Sequence, residues 1–238
     1  HLHSNGMQTD GRNRTSVLLI HPDNPRIMYA SKAGFWTGAV YKSTNGGHNW
    51  EGITENHWPI LASGATAMFM HPDQPDLLLH SGDGHTFISR TEDGGQTWED
   101  VFYAEGQVDA YAVHPDDPDQ IFAIASQRGL LISDDRGKEW RVEVISDTIE
   151  LYYDMNFINN HLYIATARGV LKTHDLKNYN QVGSQVLGHT SEGETVLFPR
   201  NVRAIVSDKH QVNLYIGHSL MLFNEELFGG VYVRKLDH

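Results

Sequence analysis

The chain has 238 residues, with 18 Lys and Arg against 30 Asp and Glu, and no cysteine. That length suits one large all-β domain or two small ones, and it folds without covalent staples. Disulfides, thiolate metal sites and cysteine nucleophiles are excluded, and a formal net charge of −12 disfavours nucleic acid and anionic lipid as partners. No apolar run approaches the ~18 residues of a membrane span. The opening His1-Leu2-His3 carries no leader pattern and reads as a processed or a trimmed start.

In chain order, apolar runs alternate with turn signals. Val17 to Ile20 leads into His21-Pro22-Asp23-Asn24-Pro25, and Ile27-Met28-Tyr29-Ala30 follows. Two β runs around a Pro-Asp-x-Pro turn predict a hairpin. Ser43-Thr44-Asn45-Gly46-Gly47-His48-Asn49-Trp50 then closes the unit. The same order returns with Ala67 to Met70, His71-Pro72-Asp73-Gln74-Pro75, Leu77 to Leu79 and Thr91-Glu92-Asp93-Gly94-Gly95-Gln96-Thr97-Trp98. A third round runs through Ala110 to Val113, His114-Pro115-Asp116-Asp117-Pro118, Ile121 to Ile124 and Ser133-Asp134-Asp135-Arg136-Gly137-Lys138-Glu139-Trp140. A fourth ends in Thr173-His174-Asp175-Leu176-Lys177-Asn178-Tyr179, one residue short and with Tyr in place of Trp. The fifth keeps the hairpin, Val202 to Val206 and Asn213 to Gly217, without the closing turn. Ser31, Ser81, Ser126 and Thr166 each precede a glycine by three positions, at Gly34, Gly84, Gly129 and Gly169, where the second strand of each unit is expected to end.

Units of roughly 40–50 residues with four short strands each predict the blades of a propeller. The expected fold is therefore all-β, a single β-propeller of four-stranded blades. Five blades are expected, at about 14–55, 64–102, 108–145, 150–184 and 198–238; a part of a six- or seven-bladed ring is the alternative. The irregular fifth unit fits a terminal repeat.

The physics of the closing turn is structural. Asp or Asn accepts backbone N–H groups of its own turn, glycine permits positive φ, and Trp is an apolar wedge against neighbouring strands. Asn45, Trp50, Asp93, Trp98, Asp135, Trp140 and Asp175 are read in this way. The three His-Pro histidines are each expected to pack on their own turn, because equivalent positions in different blades lie too far apart to share a metal.

The Ser/Thr-x-Asp-x-Gly-x-x-Trp pattern resembles the Asp-box, or BNR repeat, of sialidases, xyloglucan-degrading hydrolases, the sortilin ectodomain and a photosystem II assembly factor. The resemblance covers roughly residues 14 to 183. It implies that the Asp-box turns lie away from the ligand face, and that small propellers of this kind act as extracytoplasmic binding or assembly factors. The Phe-Arg-Ile-Pro signature of sialidases is missing before the first blade, although Arg128, Arg168 and Arg200, with Tyr152 and Glu150, are candidates by position.

A ligand site is expected where the loops entering the inner strands meet those linking strands two and three. These loops collect Trp36, His57, Trp58, Asp83, His85, Glu105, Arg128, Arg168, Glu192, Arg200 and His218. Aromatic faces stack on a ligand, and arginine pairs with carboxylates. The expected role is a non-catalytic, extracytoplasmic module that presents this face to a protein or a glycan, without membrane insertion and compatible with docking on a membrane complex. The alternative is a glycoside hydrolase that uses loop carboxylates such as Asp83 and Glu105. No cofactor is expected. The one metal option is copper or another divalent ion held by His1 and His3, should His1 be the true terminus.

Overall fold

The computed structural model describes residues 6–7, 14–33, 39–54, 65–82, 85–126, 128–145, 151–166 and 169–182, and the strands at 186–189, 195–198, 202–207, 213–223 and 226–235. For 14–16, 32–33, 39, 65–66, 85–86 and all positions beyond 182, only the backbone is described. Every regular element among these residues is a β-strand.

The chain falls into two compact units, His1–Val142 and Glu143–His238. The first holds three antiparallel meanders. One comprises β1 (Arg14–Ile20), β2 (Met28–Ala33), β3 (Ala39–Ser43) and β4 (Glu51–Gly52). The next comprises β5 (Ala65–Met70), β6 (Leu78–Gly82), β7 (His85–Thr91) and β8 (Glu99–Tyr103). The third comprises β9 (Val108–His114), β10 (Asp117–Ala125), β11 (Gly129–Ser133) and β12 (Arg141–Glu143), its last strand reaching the unit boundary. Their first strands are neighbours in the order β1, β5, β9.

In the second unit a fourth meander comprises β13 (Tyr152–Ile158), β14 (His161–Thr166), β15 (Gly169–Thr173) and β16 (Asn180–Gln181). A hairpin of β17 (Val186–His189) and β18 (Thr195–Phe198) follows, then a three-stranded sheet of β19 (Val202–Ser207), β20 (Asn213–Phe223) and β21 (Glu226–Lys235). β13 and β19 are neighbours.

The second strand of the middle sheet is apolar on both faces because that sheet is covered on both sides. Side chains alternate across a strand. Leu78 therefore joins Tyr29, Val40, Met68 and Trp98 in a core toward the first sheet. Its neighbour Leu79 joins Ile88, Ile121, Ala123 and Leu131 in a core toward the third. The tryptophan wedges follow the same rule: Trp98 packs against the sheet before its own, and so does Trp140.

The closing turns behave as designed hydrogen-bond knots. Thr91 Oγ1 donates to Asp93 Oδ1 at 2.7 Å and accepts the Gly95 N–H at 3.1 Å. Asp93 Oδ1 accepts the N–H groups of Gln96 and Thr97 at 2.8 and 2.9 Å. Asp135 repeats this with Ser133, Lys138 and Glu139, and Asn45 with Ser43 and Asn49. The short fourth turn keeps the logic: Asp175 accepts from Lys177 and Asn178, and Leu176 N donates to Thr173 Oγ1. The indole N–H of Trp50 and of Trp140 donates to the glycine carbonyl three residues back, both at 3.0 Å. Tyr179 O–H donates to Leu176 O at 3.2 Å, so the Tyr replaces the Trp in kind.

The His-Pro histidines do pack on their own turns. His21 and His71 accept at Nδ1 from the N–H groups two and three residues on, and His114 from Asp116 N. In each of the first three repeats an N–H of the closing turn donates back to this hairpin turn: Gly46 to Arg26 O, Gly94 to Asp76 O and Arg136 to Asp119 O. Both turns of a repeat are thus tied together at one end of its sheet.

These knots carry a pH dependence. Burial pulls the Asp93 carboxyl up, but the hydrogen bonds from Thr97, Thr91 and Gln96 outweigh it and hold the group at about 2. A depressed folded value contributes stability that is complete above the unfolded carboxylate range and is lost as pH falls through the folded one. Urea midpoints measured from pH 5 to pH 2 are therefore expected to drop most between about 4 and 2. Asp93→Asn flattens that drop while costing little at neutral pH, since Asn45 already serves in the first turn.

Three expectations are corrected. Gly129 and Gly169 open the third strands, at φ 107° and 126°, and do not end the second ones. Glu192 and Arg200, expected on loops, have a strand between them, because the apolar and β-branched run Thr195–Phe198 pairs with Val186–His189. The segment around His218 is not a linking loop, because β20 runs through it as far as Phe223, which pairs with Glu226.

Candidate functional site

A meander puts its first and third links at one sheet end and its second link at the other, with the connection to the next sheet. The turn knots occupy the first end. Among the described residues of the first unit, the links at the other end are β8–β9 and β10–β11.

The β8–β9 link is short and anchored at both stems. Ala104 and Val108 are buried in the core beneath it. Between them Glu105 takes the left-handed conformation at φ 53° and stands exposed. Gly106 lies against the neighbouring link so closely that a Cβ there would sit 2.5 Å from the Ser126 carbonyl oxygen. Ser126 N donates to Gln107 O at 2.7 Å. The two links are thus zipped by backbone before any side chain acts.

Side chains complete the patch. Arg128 Nη1 pairs with Glu105 Oε2 at 3.0 Å and lies near the Tyr103 carbonyl at 3.5 Å. Its guanidinium sits over the Phe102 ring, 5.8 Å from the centroid. Asp109 accepts from Ser126 Oγ and, at 2.5 Å, from Gln107 Nε2. Tyr103 is 51% exposed and leans on Phe87, with ring centroids 5.0 Å apart. An exposed ion pair of this kind contributes at most about 1 kcal/mol to folding. Its effect is positional, since it holds the Glu105 carboxylate and the stacked Arg128 guanidinium together across two links.

Asp109 owes its place to a bulge. In each of the five repeats the first strand carries one unpaired residue near its start: Ser16, Thr66, Asp109, Tyr153 and Arg203. A bulge bends the strand and re-aims its side chain. The fifth repeat, which lacks the closing turn, keeps it.

Of the predicted ligand-face residues, the structure brings Glu105 and Arg128 into contact. His85 opens β7 opposite Gly82, and His218 lies within β20 opposite Val202 and Gly230; both are described by backbone alone. Trp36, His57, Trp58, Asp83, Arg168, Glu192 and Arg200, with His1 and His3, lie outside the described residues. Tyr152, the positional candidate for a nucleophile, is buried, which withdraws it from a ligand. Tyr103, Asp109, Gln107 and Ser126 were not anticipated as a group. The hydroxyl column containing Ser126 was the one available signal. Among the described residues no group of three or more His, Asp or Glu side chains is placed to hold a metal ion.

No protein-family model and no curated protein sequence matches the chain. Solved structures do. An ancestral GH74 enzyme superposes with a TM-score of 0.67 at 16% identity over 86% of this chain and 27% of that one. The extracellular domain of the hybrid two-component system BT4673 from B. thetaiotaomicron gives 0.66 at 12% identity over 98% of this chain and 29% of that one. YCF48 bound to D1 peptide gives 0.60 at 15% identity, covering 98% of this chain and 67% of that one. The chain thus spans less than a third of the GH74 and BT4673 chains. At such identities the likeness speaks to architecture alone, and with the meanders above it establishes that this chain has the β-propeller fold.

Proposed function

We propose that the five repeats form one propeller of the Asp-box kind, a non-catalytic extracytoplasmic module that binds a protein ligand through the end of the sheets carrying Glu105 and Arg128. The observation that carries this reading is the Glu105–Arg128 pair. It joins two links at one end of the sheets, with the guanidinium stacked on Phe102, while the closing-turn carboxylates are consumed by their own hydrogen bonds. Aromatic and arginine side chains are the groups most often central to binding surfaces. Two of the similar structures lend support by their own descriptions, one a complex with a peptide and the other an extracellular domain. A glycan is the other ligand class such a face suits.

The test is capture from membrane and envelope extract, read by mass spectrometry, with the wild-type chain and Arg128→Glu side by side. A stoichiometric protein is expected with the wild type. Arg128→Glu weakens its binding at least about tenfold, a loss of about 1.4 kcal/mol. Equal capture by both chains moves the footprint elsewhere. A polysaccharide hydrolysis assay with Glu105→Gln separates the enzymatic alternative: turnover by the wild type that the amide abolishes would replace the binding reading with a hydrolase.

A further inference from the structure

The fourth repeat departs from the first three at the end of the sheet that carries the closing turn. It has no His-Pro-Asp turn. Its β13 and β14 are joined by the two residues Asn159 and Asn160, at φ 49° and 56°, with Ile158 paired to His161 across the turn. Two consecutive left-handed residues make the tight hairpin turn that matches strand twist, and Asn tolerates that conformation. The turn leaves two carbonyls pointing at its surroundings, and each takes a histidine. His161 Nδ1 lies 2.7 Å from Asn159 O, and His174 Nδ1 lies 3.1 Å from Asn160 O.

A carbonyl only accepts, so both Nδ1 atoms carry the proton. In the neutral ring Nε2 is then the bare lone pair. The ladder sets the two residues facing: Leu162 pairs with Thr173, and His161 and His174 come one step beyond. Their ring centroids are 5.1 Å apart. Two imidazoles that share a tetrahedral zinc at Zn–N ~2.0–2.1 Å place their ring centres about 5 Å apart. Both features fit a metal-ligand pair: the spacing, and an Nδ1–H held by an outer acceptor that fixes the tautomer and turns Nε2 outward.

We propose that His161 and His174 form a two-imidazole binding site for a first-row divalent metal ion. Nitrogen donors of this type suit zinc, copper and nickel. The remaining coordination positions go to water. The ion would pin the β13–β14 turn to the closing turn of the same repeat, a place where the first three repeats use a backbone hydrogen bond. The site differs from His1 and His3, and it needs neither Glu105 nor Arg128.

The test uses zinc chloride alone, titrated into the full chain at pH 7.5 and followed by long-range proton–nitrogen NMR of the imidazoles. The Nε2 resonances of His161 and His174 are expected to move together on one curve. Outer-shell partners alone are worth about 10–100-fold in metal affinity, so His161→Gln and His174→Gln each weaken binding at least about tenfold. His174 is exposed and His161 partly so, and circular dichroism confirms that both variants fold. The proposal is overturned if zinc moves only other imidazoles, if the two histidines titrate independently, or if either variant binds as tightly as the wild type. It is equally overturned if the pair stays unshifted at millimolar zinc, for the rings then only pack.

Discussion

Gly106→Ala is expected to lower unfolding stability by about 3 kcal/mol, the upper end of what an added methyl costs in a tight site. The neighbour that the new Cβ meets is a backbone carbonyl at 2.5 Å, not the far end of a flexible side chain. That carbonyl belongs to Ser126, whose N–H is already engaged by Gln107 at 2.7 Å. Neither link can retreat without breaking the backbone zip between them. The Glu105–Arg128 contact is lost with it, so ligand capture falls along with stability. Gly46→Ala is the matched control. It has positive φ, 74°, and nothing within 4 Å of the added carbon, so only conformational strain of about 1 kcal/mol is due. Guanidinium chloride midpoints of the two variants check the ordering. Equal losses would mean that the two links are not held against each other.

Arg90→Met is expected to cost about 2–3 kcal/mol, whereas Glu92→Gln costs less than about 1 kcal/mol. The Arg90 side chain is only 2% exposed, while Glu92 is 59% exposed. Nε of Arg90 donates to the Arg136 carbonyl of the next repeat at 3.0 Å, and the two ends of its guanidinium reach Glu92 at 2.5 Å and Glu99 at 3.6 Å. Removing the arginine strips a donor from the carbonyl of the third closing turn and opens a gap in a packed site. Removing the Glu92 charge leaves Arg90 with Glu99 and the carbonyl, and Glu92 in water. The first repeat uses the same device with Lys42, whose Nζ donates to Gly94 O at 3.0 Å. Thermal unfolding of both variants distinguishes the two costs. If Glu92→Gln proves as damaging as Arg90→Met, the ion pair and not the carbonyl bond holds this junction.

The fold was legible because its punctuation is chemical. The His-Pro-Asp and Ser/Thr-x-Asp-x-Gly turns need particular atoms at particular places, so they repeat as residue types. The continuous apolar runs of β6, β10 and β14 read as strands covered on both faces. The bulges were not legible: Ser16, Thr66, Asp109, Tyr153 and Arg203 have no common chemistry, since a bulge is a fact of backbone pairing. The hairpin β17–β18 was hidden for a related reason, as it belongs to no repeat. Glu105 and Arg128 were found through loop position alone. The facing of His161 and His174 was missed because it depends on the ladder register, which follows from the Asn159–Asn160 turn rather than from any spacing of histidines.

Those bulges also bear on how each first strand finds its register. A plain antiparallel ladder looks much the same after a slip of two residues, because the faces come back into phase. Without a fixed point, a run such as Ala67 to Met70 would slide along Leu77 to Ser81. One extra residue near the start of each first strand removes that translational symmetry. A slip would carry the unpaired residue away from the step of the partner strand that it spans natively, and N–H and C=O groups on both strands would lose their partners. The bulge acts here as a key cut into each repeat, so that only the intended alignment closes the ladder.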